Sequence, residues 1–171
     1  SGYVDTPAPG VYALRGAPTD AVLTASLGAQ LTCVSALARL NLPLAAPSAT
    51  AHLAVPDKFA LRGRDAQGAR LHYCADFQPG VLVAPAARAL DTAGVCLDPV
   101  WHLVAVDAAL NRGLITAGDI LDFRKSSPAR RDYLLRCADP RAEAPGETIA
   151  RLRLVQAGFQ VRPQAYVEGA G

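Results

Sequence analysis

Ala138-Asp139-Pro140-Arg141-Ala142-Glu143-Ala144-Pro145-Gly146-Glu147 runs into Thr148-Ile149-Ala150-Arg151-Leu152-Arg153-Leu154-Val155-Gln156-Ala157-Gly158-Phe159, a stretch that reads as a helix with both ends marked. Pro145 suits the first turn, where its missing N–H is not needed, and Gly158 suits a left-handed stop. Glu147 falls in the first turn, where the helix dipole favours an anion. It also precedes Arg151 by four residues, the spacing of an ion pair worth about 0.2–0.5 kcal/mol. Ile149, Leu152, Val155 and Phe159 recur at helical spacing, so one face is expected to be apolar. Ala144 stands where a capping-box hydroxyl would be needed, which rules out that reciprocal cap.

Working outward, the same start and stop chemistry marks other helices. Thr19 or Asp20 caps a helix to about Leu27, stopped by Gly28, and a second helix runs from about Thr32 to Leu40 with Asn41 as its stop. Pro85 opens a helix toward Val95, and Asp98-Pro99 opens one ending at Gly113, with Val100, Leu103, Val104, Asp107 and Leu110 in register. Trp101 and His102 flank that stripe, and helix packing accounts for both. Thr116 and Asp119 stand at capping-box distance, and Ser127-Pro128 starts a helix to Cys137. Extended segments are expected at Gly10 to Leu14, Thr50 to Pro56, Arg70 to Cys74 and Gly80 to Val83. The polar run Asp57 to Ala69 is read as a hairpin loop joining the second and third. The fold class that follows is α+β, with helices packed around a small, mainly antiparallel sheet and a helix-rich second half.

Composition narrows the function classes. Of 171 residues, 51% are apolar and 19% charged, as in ordinary folded proteins, and the net charge of +2 gives no global field for polyanions. Any nucleic-acid surface must therefore come from local clustering. Two clusters exist: Lys58, Arg62, Arg64 and Arg70 in the loop region, and Arg124, Lys125, Arg130 and Arg131 at the Ser127 junction. Each is either a phosphate-contacting surface or a solvated one. No apolar run reaches the roughly 20 residues of a membrane span, and no signal pattern is visible, so a cytoplasmic protein without membrane partners is expected. The chain contains no Met, so Ser1 is expected to be a processed or excised start.

Cys33, Cys74, Cys96 and Cys137 are irregularly spaced, with no C-x-x-C, and are expected to be buried free thiols. His72-x-Cys74 is the one metal-like local spacing. With no third or fourth ligand visible beside it, no metal site is expected.

The opening stretch, from its Asp-Pro-Arg-Ala-Glu through Arg151-Leu152-Arg153, Gly158-Phe159 and Pro163-Gln164, resembles the start of the very-short-patch-repair-like (DUF559) endonuclease domain, a PD-(D/E)XK fold. Upstream, Gly10 to Leu14, Leu31 to Leu37, His52 to Pro56, Pro85 to Asp91 and Ala105 to Gly113 resemble in order the central region of bacterial AbiEi-type antitoxins. The resemblance implies three parts: residues 1–15, a winged-helix wing remnant; residues 16–137, an AbiEi-like α+β domain; and residues 138–171, the first helix and strand of a nuclease-like domain. Glu147 is the residue that matches a family acidic position, as one member of an incomplete catalytic set. The family's remaining catalytic strands would follow Gly171.

The resemblance thus implies a DNA-associated regulatory module of a toxin–antitoxin or phage-defence system, with duplex DNA and a cognate toxin as partners and no catalysis by this chain alone. The alternative is the specificity portion of a metal-dependent DNA endonuclease. No cofactor is expected in this chain, and Mg²⁺ would be expected only with the full nuclease domain. A protein-interaction domain without a nucleic-acid role is the third reading.

Overall fold

The computed structural model describes residues 3–161. Five strands and seven helices follow one another in the order β1 (Val4–Ala8), β2 (Val11–Leu14), α1 (Thr19–Leu27), β3 (Gln30–Leu31), α2 (Cys33–Arg39), β4 (Ala51–Pro56), β5 (Ala69–Cys74), α3 (Ala86–Ala93), α4 (Pro99–Asn111), α5 (Ala117–Leu121), α6 (Pro128–Cys137) and α7 (Pro145–Gln156). This is the α+β architecture the sequence predicts, with helices around a small sheet and a helical second half.

Local chemistry places most helix ends. Asp98 accepts from the N–H groups of Val100 and Trp101, Ser127 from that of Arg130, and Thr116 and Asp119 form the reciprocal capping box. Gly28, Asn41, Gly113 and Gly158 adopt the left-handed conformation that stops a helix. At the start of α1 the position before the helix is Pro18, and neither Thr19 nor Asp20 acts as the cap. Asp20 instead holds Arg39 of α2 at 2.9 Å.

β1 and β2 form an antiparallel ribbon, while β3, β4 and β5 form a second sheet with β4 in the centre. β3 pairs antiparallel with β4, but β4 and β5 pair in parallel, from Ala51 opposite Ala69 to Pro56 opposite Cys74. The expected hairpin between them is therefore a crossover. Parallel neighbours need a connection of a dozen or so residues, which residues 57–68 supply. The loop is fastened on its way. Arg64 donates to the carbonyls of Leu61, Ala60 and Leu27 and lies over the Phe59 ring, 4.9 Å from its centroid. The segment Gly80 to Val83, expected as a strand, contributes a single parallel bridge, Val83 to Leu31.

Alternation along β4 gives the sheet two different faces. Ala51 and Leu53 pack with Leu27, Leu31, Phe59, Ala66 and Leu71 beneath α1 and the crossover. His52 and Ala54 point the other way, toward α2 and the turn that follows α3. The main apolar core lies beyond, built from α2 to α6 around Leu37, Leu90, Leu103, Val106, Ile120, Phe123 and Leu134. α4 at its centre is buried nearly all round, including His102 and Asp107, so the narrow stripe read from its sequence is wider in the structure.

α7 docks on α4 by its first half. Thr148 is buried and Ile149 and Leu152 are half-buried, whereas Val155 is 54% and Phe159 63% exposed, so the predicted apolar stripe is covered only at its start. The strand expected after Pro163-Gln164 lies outside the described residues.

Candidate metal centre and nucleic-acid interface

The parallel register sets His72 opposite Ala54 and Arg70 opposite His52. His52 and His72 are thus diagonal neighbours on one face of the sheet, close enough for their rings to meet. The rings stack with centroids 5.2 Å apart, and His52 Nδ1 lies 3.1 Å from His72 Nε2. Cys96 approaches from the turn after α3, its Sγ 3.8 Å from His52 Nδ1. Cys33 closes the group from the first residue of α2, its thiol within 4.8 Å of that of Cys96. The four donor atoms, two sulfurs and two imidazole nitrogens, all lie within 4.8 Å of one another.

Backbone bonds hold these side chains in place. The Ser35 hydroxyl accepts from the His52 N–H at 2.8 Å, and the Thr32 N–H donates to the His52 carbonyl at 2.9 Å. The segment just before and within α2 is thereby laced to β4. Cys33 itself has φ +50°, a left-handed conformation that is uncommon for a residue with a side chain and costs of order 1–3 kcal/mol. Cys33 and His52 are buried, and His72 and Cys96 are partly so. Burial, followed by His52, Arg70 and Lys125, pulls His72 down to about 4. Burial, followed by Arg70, also lowers His52, and burial above all raises Cys33.

The sequence singles out His72 but pairs it with Cys74, and it expects no metal. In the structure Cys74 sits outside the group, its thiol turned to the His72 carbonyl at 3.7 Å, while Cys33, His52 and Cys96 arrive from three other elements. No local spacing announces such a set. Its only trace in the sequence is that every member is a residue type that binds soft or borderline metals.

The basic residues divide by what they touch. Lys58, Arg62, Arg70 and Arg124 are exposed. Lys125 is anchored by its amine to the Tyr73 carbonyl at 2.7 Å. Arg64 is committed to backbone carbonyls in the crossover. Arg130 donates to the Leu97 carbonyl and to His102 Nδ1, and Arg131 to the Phe123 carbonyl. The main chain of Arg124, Lys125 and Ser126 is itself fixed, because all three N–H groups donate to the Asp91 carboxylate at 2.7–3.0 Å. This brings Lys125 beside β5, where Arg70 also stands, and both cations act on His72. One member of each basic cluster, Arg70 and Lys125, therefore stands at the outer strand of the sheet. A cleft of about 620 Å³ opens beside them, lined by Arg88, Arg124 and Lys125 but also by Asp76, Asp119 and Asp122.

Glu147 accepts from the Glu143 N–H at 2.8 Å, just ahead of its own helix. The one gathering of three or more potential ligands among the described residues is the Cys/His group, and Glu147 is not in it. No helix of the described residues is long and apolar enough to cross a membrane. Compared with protein-family models, curated proteins and solved structures, the chain matches none of them.

Proposed function

We propose that this chain is a DNA-associated regulatory module, of the kind found in toxin–antitoxin or phage-defence systems, which contacts duplex DNA through its β5 edge and performs no cleavage by itself. One observation carries the reading: Arg70 and Lys125, drawn from separate clusters, converge beside β5, with Arg124 next to the anchored Lys125. An exposed cation beside a rigid strand edge suits phosphate contact, because the backbone that positions it is already ordered. Lys58 and Arg62, exposed in the crossover loop that leads into β5, are the further cations of this reading. The Asp91 carboxylate supports the reading in a second way, since it fixes the main chain on which Arg124 and Lys125 are mounted.

Fluorescence anisotropy of a labelled duplex across a salt series tests this. Binding that weakens with salt, with a logarithmic slope of about 0.9 per phosphate neutralised, is the expected result. Absence of binding at low salt overturns the reading, as does cleavage of the duplex by the purified chain in Mg²⁺.

A further inference from the structure

We propose that Cys33, His52, His72 and Cys96 together bind one Zn²⁺ ion as a structural centre, fastening the start of α2, the strands β4 and β5 and the turn after α3 to one another.

The donor set and its spacing point to this ion. Structural zinc is held by four ligands in a tetrahedron, and two cysteines with two histidines is one of its standard sets. Metal bonds of about 2.3 Å to sulfur and 2.0–2.1 Å to nitrogen place tetrahedral donors about 3.3 Å apart for two nitrogens and about 3.5 Å for sulfur and nitrogen. The chain holds His52 Nδ1 and His72 Nε2 at 3.1 Å, and Cys96 Sγ and His52 Nδ1 at 3.8 Å. All four atoms fall within 4.8 Å, so a central ion needs only small side-chain rotations to reach every one. Two thiolates and two neutral imidazoles around a divalent cation sum to zero charge. That is the arrangement a buried site beside Arg70 and Lys125 tolerates best, since a net charge there would be desolvated or repelled. Binding displaces the two thiol protons to solvent and involves no change of oxidation state.

The positions of the ligands also say what the ion does. Each comes from a different element, and the group sits where the sheet face meets the helical body. In a chain whose β4–β5 connection is a crossover, the ion would fix the pairing of the strands relative to α2. The left-handed backbone of Cys33 is accounted for if its thiol has to reach a shared centre. Four protein donors fill a tetrahedron and leave no position for water or substrate, so a structural centre fits better than a catalytic one.

The experiment uses the whole chain, purified under reducing conditions without chelator. Elemental analysis is expected to find one zinc per chain. After chelation, titration with Co²⁺ is expected to produce the visible d–d bands and thiolate charge-transfer absorption of a tetrahedral site, and added Zn²⁺ to bleach them. Cys96→Ala and His72→Ala should lose stoichiometric metal, while Cys74→Ala should keep it. Should a ligand variant fail to fold, the Co²⁺ spectrum of the unaltered chain still decides. A reduced chain that carries no metal and gives no d–d bands overturns the proposal, and so does a disulfide between Cys33 and Cys96 in the freshly isolated protein. Neither result bears on DNA binding, which the anisotropy measurement reads separately.

Discussion

The guanidinium of Arg151 on α7 lies 2.6 Å from the carboxylate of Asp107, which is buried in the middle of α4. The same carboxylate accepts from the Thr148 hydroxyl at 2.7 Å and from the Asp139 N–H at 2.8 Å, and Arg151 also donates to the Cys137 carbonyl. One buried acid therefore fixes the end of α6, the turn after it and the last helix. Burial pushes the Asp107 carboxyl up, and these donors pull against that. Removing one partner from such a pair leaves the other charged and dry, a loss of about 3–5 kcal/mol. Asp107→Ala is expected to lower the urea-unfolding free energy by that amount, and a loss below about 1 kcal/mol would falsify the assignment. Adding Arg151→Ala to the first change should cost far less than it does alone, since the two residues share one network.

His102 provides a pH test. Arg130 can only donate, so His102 Nδ1 accepts from it and the protonated Nε2 donates to the Leu90 carbonyl at 2.9 Å. Burial and then Arg130 hold the imidazole at about 4, below the ordinary 6.5. The unfolded chain thus takes up a proton first as the pH falls. Above pH 6.5 both states are neutral and the residue adds no pH dependence. Between 6.5 and 4 the native state loses up to about 3 kcal/mol, and below 4 the loss is complete. His102→Gln keeps a donor for Leu90 and is expected to flatten this part of the stability curve, measured as urea midpoints from pH 7 to 4. An unchanged curve would count against the neutral, buried assignment.

Asp91 is the acceptor for three consecutive backbone N–H groups, those of Arg124, Lys125 and Ser126. Hydrogen bonds to a charged group contribute about 1.5–3 kcal/mol each when measured singly. Asp91→Ala should therefore destabilise the chain by at least about 2 kcal/mol on this scale and speed amide exchange at those three positions. Because the segment carries Arg124 and Lys125, the same variant should weaken DNA binding without removing a cation. Unaltered exchange at the three amides would show that the loop is held by something else.

Gly94 is required by close approach rather than by backbone angle. A Cβ there would stand 2.0 Å from Ser126 Oγ and 3.0 Å from His102 Cε1. Gly94→Ala is expected to lose about 1–3 kcal/mol through overpacking. Ser126→Gly removes the nearest atoms, so the double variant should recover part of that loss. Simple additivity of the two changes in thermal unfolding would speak against a direct clash.

The arginines and lysines should separate into two groups. Replacing Lys58, Arg62, Arg70 or Arg124 by Gln is expected to leave stability within about 0.5 kcal/mol and to reduce the salt slope of DNA binding, by up to about 0.9 for each phosphate that is no longer neutralised. Replacing Arg64, Arg130 or Arg131 should instead lower stability by about 1–3 kcal/mol, because each leaves carbonyl acceptors without their donor. If the second group lowered the salt slope at unchanged stability, the division between exposed and anchored cations would be mistaken.

The sequence by itself determined where most of the helices begin and end. Asp98, Thr116 with Asp119, Ser127, Gly28, Asn41, Gly113 and Gly158 all act as read, because a cap is made by atoms within a few residues of one another. It also set the α+β class, through the alternation of extended and helical segments. What only the tertiary structure decided is how distant pieces meet. Whether β4 and β5 pair as a hairpin or in parallel depends on where the crossover packs, and no periodicity within either strand records that. The parallel choice puts His72, rather than a side chain of the opposite order, beside His52. It brings Lys125 to the Tyr73 carbonyl, and α4 meanwhile turns Asp107 toward Arg151. Each of these contacts joins residues twenty or more positions apart. Their energy comes from burying a surface that the whole fold creates, so the residues can be named from the sequence but not assembled from it.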